Sequence, residues 1–183
     1  EFISYCFEFQ DQFDELWLLT NGTVPPTKEL LSVLKEHSDK ITLHVSDYGL
    51  RQEVTSALVE AVQELGRKCR YFKYYGEQQY WDGWVDQGDY VCHNRSEEEL
   101  KEMFRTCPQA SSGGFWHIRH GQMHWCGRSI RGTEVGKIPS TEEDYLDIYR
   151  GTIEERRERL RNLMKREFVT SCNYCNGYYG TKE

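Results

Sequence analysis

Leu16-Trp17-Leu18-Leu19-Thr20-Asn21-Gly22 decides the fold: a short, almost wholly apolar run stops at an Asn-Gly turn. A run of this length reads as a strand, and its unbroken apolarity predicts burial on both faces, as in a parallel sheet. A second strand follows in Ile41-Thr42-Leu43-His44-Val45-Ser46, which ends at Asp47-Tyr48-Gly49, and a third in Cys69-Arg70-Tyr71-Phe72-Lys73-Tyr74. Strands starting near 16, 41 and 69 recur every 25 to 28 residues. That rhythm belongs to repeated βα units with a parallel sheet.

Helical patterns fill the gaps. Phe2, Ile3, Cys6, Phe9 and Phe13 recur at helical spacing before the first strand. Pro25-Pro26-Thr27 opens the next helix, with Thr27 as N-cap and Leu30, Leu31 and Leu34 on its inner face. Val54, Leu58, Val62 and Leu65 mark a third helix, which stops at Gly66. Parallel sheets place their chemistry at the carboxyl ends of the strands, here Thr20-Asn21-Gly22, Ser46-Asp47 and Tyr74-Tyr75-Gly76. Each end carries short polar groups suited to a sugar or amino-acid ligand, and each also reads as an ordinary turn.

The character changes after Gly76, where Trp81-Asp82-Gly83-Trp84 forms a Gly- and aromatic-rich loop without periodicity. We place a domain boundary there, with residues 1–80 on one side and 81–183 on the other. Ser96-Glu97-Glu98-Glu99 is a capping box for a helix carrying Leu100, Met103 and Phe104 up to Cys107-Pro108. Phe115 to Ile118 and Gln122 to Trp125 flank His120-Gly121 as a hairpin that delivers Cys126. Thr152-Ile153-Glu154-Glu155 caps a charged helix with Leu160, Leu163, Met164 and Phe168 as its apolar stripe, running towards Cys172.

Four cysteines in this half carry the chemistry: Cys107, Cys126 and the Cys-x-x-Cys pair Cys172 and Cys175. Thiolates are soft donors that suit tetrahedral zinc or an iron–sulfur cluster. Structural zinc usually takes two close pairs, whereas Cys107 and Cys126 stand 19 residues apart. That dispersion leans towards a cluster. Cys172 and Cys175 alone would also serve a redox protein, which requires a low thiol pKa. His117 and His124 face each other across the hairpin and form a further candidate pair of metal ligands.

Composition bounds the rest. The chain has 183 residues, a net charge of −7 and seven cysteines. Its acidity argues against a surface built to hold nucleic acid, and no apolar stretch is long enough for a membrane span. The cysteine count and clustering predict ligation in a reducing cytoplasm over a disulfide framework. Nucleophile elbow, P-loop, GxGxxG and HExxH motifs are absent from the sequence, so hydrolase and kinase readings have no footing.

The order of parts resembles the C-terminal portion of a radical S-adenosylmethionine enzyme with an auxiliary iron–sulfur domain of the SPASM or twitch type. The resemblance is carried by Leu18 to Thr23, similar to the family's fourth barrel strand, and Val45 to Gly49, similar to its fifth. Cys107-Pro108, Gly121 to Cys126 and Cys172 to Gly177 complete it. It implies an α/β fold: the C-terminal half of a partial (β/α)₆ TIM-like barrel, followed by a small α+β auxiliary cluster domain. It further implies that Thr20, Asn21, Ser46 and Asp47 lie near S-adenosylmethionine, and that Cys107, Cys126, Cys172 and Cys175 hold an auxiliary [4Fe–4S] cluster.

The activity so implied is 5′-deoxyadenosyl radical chemistry on a peptide, protein or small-molecule substrate. The family's CxxxCxxC and Gly-Gly-Glu stretches, expected upstream of Glu1, are missing. We therefore expect a C-terminal fragment, catalytically silent by itself. The SPASM pattern also uses more cysteines, so one cluster is the most this chain would hold. The alternative is a non-enzymatic zinc-stabilised module that binds a peptide through the hairpin and the Trp81 to Trp84 loop.

Overall fold

The computed structural model describes residues 2–37, 39–77, 79, 86–111 and 115–177. The Trp81 to Trp84 loop lies outside them. The chain divides into two compact units, residues 1–82 and 83–183. Together they make a mixed α/β protein with one parallel and one antiparallel sheet; the described strands close no barrel.

In the first unit β1 (Leu16–Thr20), β2 (Ile41–Asp47) and β3 (Lys68–Lys73) form a parallel sheet in the order β1-β2-β3. Leu16 pairs with Ile41 and Thr20 with Val45, so the first two strands end nearly level. Helices α1 (Phe2–Phe7), α2 (Lys28–Glu36) and α3 (Gln52–Glu64) bury Phe7, Leu34, Leu58 and Val62 against Ile41, Leu43 and Val45. Thr27 caps α2 as its sequence predicts, its hydroxyl accepting from the Leu30 N–H at 3.2 Å.

Two expectations need correction. β1 is not buried on both faces: Leu16 and Leu18 join the core, but Trp17 is 49% and Leu19 73% exposed. All three helices cover the same face of the sheet, leaving Trp17 stacked on His44 at 4.5 Å on the other. The first helix is also shorter than the Phe2 to Phe13 pattern. It ends at Phe7 and gives way to a 3₁₀ turn at Gln10–Gln12, and Phe13 reaches the core from extended backbone, edge-on to Phe7 at 5.7 Å.

The second unit is built around a three-stranded antiparallel sheet, β4 (His117–Arg119), β5 (Gln122–His124) and β6 (Tyr145–Asp147), in that order. Helix α4 (Glu97–Thr106), the turn of helix α5 (Pro108–Ser111), α6 (Gly127–Glu134) and α7 (Ile153–Met164) surround it. Both expected capping boxes are present, at Ser96 and Thr152. Helix α7 stops at Met164, which is exposed, so Phe168 is not part of its stripe; Leu163 is. Trp125, Leu146, Leu163 and Val169 form the core, with Trp116 and Phe104 packed on Trp125.

The hairpin turn between β4 and β5 is the two-residue His120-Gly121 loop, with φ of 50° and 79°. Positive φ at both centres is the twist-compatible I′ geometry, favourable for Gly and costly for other residues. A Cβ on Gly121 would also lie 2.4 Å from the Tyr149 ring, though that ring is exposed and can shift. We expect Gly121→Ala to lower stability by about 1–2 kcal/mol, from backbone strain, and His120→Asn to raise it slightly, both read from urea midpoints.

Candidate metal centre

The four cysteines singled out by sequence arrive from three separate places and line one cavity of about 380 Å³. Cys107 closes helix α4, its N–H donating to the Phe104 carbonyl at 3.2 Å, and its carbonyl accepts from Ala110 in the following turn. Cys126 follows the hairpin and is the N-cap of α6: its sulfur accepts from the Ser129 N–H at 3.4 Å, as a Ser or Asn oxygen does at other caps. Cys172 lies in the 3₁₀ turn Thr170–Tyr174, and Cys175 is the residue that ends it. The Cys175 sulfur accepts from the Gly177 N–H at 3.3 Å.

A strap of irregular chain, turned by positive φ at Gly88, Tyr90 and Asn94, holds the last pair in place. The Asn176 N–H donates to the Gln87 carbonyl at 3.0 Å, the His93 N–H to the Asn173 carbonyl at 2.9 Å, and Arg95 Nη1 to the Cys172 carbonyl at 2.9 Å. From the other side Arg128 reaches the Tyr174 carbonyl through Nε and Nη2 and the Gly88 carbonyl through Nη2, with its guanidinium 4.0 Å from the Tyr90 ring centre. Gly88 has φ 82°, and a Cβ there would meet the Asn176 amide at 2.8 Å, so the strap fits only without a side chain at that point. Nothing local in the sequence marks this clasp beyond the locally basic stretch of Arg119, Arg128, Arg131 and Lys137.

Burial pushes the Cys172 thiol up to about 12, and the neighbouring Cys126, Cys107 and Cys175 add to the rise. Cys126 is likewise raised by burial, with Cys107 and Cys175 adding to it and the Ser129 and Ser171 hydrogen bonds opposing it. Cys126 and Cys172 thus each lie within electrostatic reach of the other three sulfurs. A raised Cys172 pKa is the reverse of what a reactive redox pair needs. Buried thiols of this kind ionise by exchanging their protons for a bound cation.

Among the described residues no three His, Cys, Asp or Glu side chains converge tightly enough to chelate one ion. The donor set and the space nonetheless fit a polynuclear group. Four cysteines, a soft donor set, are among the residues lining a volume more than ten times the ~30 Å³ share of one water. The two facing histidines are placed in register, His117 opposite His124, but each ring has its own partner. His117 Nε2 meets Gln109 Oε1 at 3.1 Å on the cavity wall; His124, 1% exposed, meets Ser129 Oγ at 3.0 Å through Nδ1 and stacks on Tyr145.

Burial holds His124 down to about 4, against a smaller opposing pull from Asp144. The folded state therefore binds fewer protons than the unfolded chain, whose histidine titrates near 6.5. Its contribution is whole above pH ~6.5 and is lost as pH falls towards 4, by at most about 3 kcal/mol. In metal-free protein the urea midpoint should fall across that window, and less steeply in His124→Gln.

In the first unit Thr20, Asn21, Ser46 and Asp47 sit side by side at the carboxyl ends of β1 and β2. Thr20 Oγ1 accepts from the Gly22 N–H at 3.1 Å, and Asn21 Oδ1 from the Thr23 N–H and hydroxyl. Asp47 is buried; its carboxylate accepts from the Gly49 N–H at 2.8 Å and from the Tyr71 hydroxyl at 2.5 Å. These bonds shape the two turns, and Thr55 fastens the first by donating to the Gly22 carbonyl at 3.1 Å. Among the described residues no helix is long and apolar enough to cross a membrane. No family model, curated protein or solved structure matches this chain, so its own residues carry the functional reading.

Proposed function

We propose that residues 83–183 form an iron–sulfur domain whose cluster is held by Cys107, Cys126, Cys172 and Cys175, and that the chain is the C-terminal part of a radical S-adenosylmethionine enzyme. The observation that carries this is the convergence of four thiols from three separate places on one cavity of about 380 Å³. When bound, such a cluster supplies electron transfer or Lewis acidity beside a substrate. The chain's own contribution is to fix the ligands. Helix α6, the 3₁₀ turn and the strap from Gln87 to Arg95 each anchor backbone next to a cysteine.

The first unit fits the same reading as half of a partial (β/α)₆ barrel. Three parallel strands carry helices on one face only, as barrel strands do when their other face looks into the lumen. Thr20, Asn21, Ser46 and Asp47 would then lie at the barrel's mouth, where S-adenosylmethionine binds, with a peptide, protein or small molecule as substrate.

Anaerobic incubation with iron and sulfide tests the proposal. About four of each per chain, with a brown chromophore, is the expected result for a [4Fe–4S] centre. Colourless protein carrying one zinc would replace it with the zinc-stabilised binding module.

A further inference from the structure

We propose that Ser171 is a positioning residue, its buried hydroxyl donating to the Cys126 sulfur and so setting the electron affinity of the metal group; this rests on the iron–sulfur reading above. Ser171 is 2% exposed, lies beside Cys172 in the 3₁₀ turn, and lines the cysteine cavity. Its Oγ stands 3.7 Å from Cys126 Sγ. In the free thiol form either atom can donate. Once Cys126 ligates a metal it is a thiolate without a proton, and only the serine can be the donor.

The sulfurs are not treated alike. Cys126 accepts from the Ser129 N–H at 3.4 Å and has the Ser171 hydroxyl beside it as a second donor once it is a thiolate, and Cys175 accepts from the Gly177 N–H at 3.3 Å. The N–H donors belong to the backbone and survive any side-chain change except proline. The Ser171 hydroxyl is the donor that substitution removes cleanly. A hydrogen bond to a ligand sulfur draws charge off the cluster and favours the reduced, more negative state, and burial strengthens the effect. A merely structural serine would leave the potential where it was.

The test is an EPR-monitored redox titration of the full chain, loaded anaerobically with iron and sulfide. Ser171→Ala should weaken reduction about tenfold, which is ~59 mV lower for a one-electron couple. Ser171→Thr, which restores the hydroxyl, should titrate like the parent. An alanine variant with full iron and an unmoved midpoint overturns the proposal, as does one that folds but binds no iron. If alanine does not fold, Ser171→Val against Ser171→Thr makes the same comparison, and equal midpoints overturn it. Failure of the parent chain itself to form a cluster would bring down the iron–sulfur reading along with this one. An unmoved midpoint in a loaded variant brings down this one alone.

Discussion

Cys172→Ala should abolish cluster uptake: iron and sulfide are expected to fall from about four each per chain to background after anaerobic reconstitution. Cys172 is electrostatically linked to all three other cysteines of the cavity. Its backbone is pinned at both sides, the N–H to the Val169 carbonyl at 2.9 Å and the carbonyl to Arg95 Nη1 at 2.9 Å. The segment therefore cannot slide to bring a neighbour into the corner the sulfur leaves. Loss of a ligand should cost more than the 10–100-fold typical of groups that only orient ligands. Cys6→Ala and Cys69→Ala are the controls. Both residues belong to the first unit, where Cys69 packs against the core of α1 to α3, and both variants should load fully. Full iron in Cys172→Ala would exclude the four-cysteine centre.

Local signals account for what was legible in the sequence. Thr27, Ser96 and Thr152 announce their helices because capping is decided within four residues, and His120-Gly121 announces its hairpin because a two-residue loop demands positive φ. The strands β1 to β3 stand where the apolar runs place them. The burial of β1 was not legible, since apolar side chains on both faces say nothing about which face a helix covers; Trp17 and Leu19 are left outside. Helix α6 has no clear sequence signal because Ile130 is its one large apolar residue, and its N-cap is a cysteine rather than Ser, Thr, Asp or Asn. β6 is only three residues long and is held by pairing with β5.

The candidate site divides in the same way. Residue type and order identified the four cysteines, because thiols at Cys-x-x-Cys spacing with two distant partners are the donor pattern of a soft metal. Their convergence depends on contacts across 46 and more residues, such as Arg128 to Tyr174 and Arg95 to Cys172. Much of the clasp is backbone hydrogen bonding, which leaves no side-chain signature. Ser171 is invisible for the same reason: a serine before a cysteine acquires meaning only when the fold sets it against Cys126.

Trp125 ties the stability of the second unit to the geometry of its cavity, and Trp125→Ala should cost about 3–5 kcal/mol. The indole is 8% exposed, with Trp116 at 4.2 Å and Phe104 edge-on at 5.5 Å between ring centres. Its Nε1–H donates to the Leu163 carbonyl at 2.9 Å, which joins the end of the hairpin to helix α7. Alanine would open a void where this ring fills the space between those elements, and would lose the indole bond at a further cost of at most about 1 kcal/mol, since the Leu163 carbonyl keeps the Arg166 N–H at 3.2 Å. Trp125→Phe keeps most of the volume and loses the bond, so it should cost about 1–2 kcal/mol. The urea midpoint by circular dichroism should therefore fall in the order parent, phenylalanine, alanine. Because Trp125 immediately precedes Cys126, alanine should also lower iron loading while phenylalanine retains it. A phenylalanine variant as unstable as alanine would assign the tryptophan's role to its hydrogen bond; equal loading in all three would separate the core from the metal site.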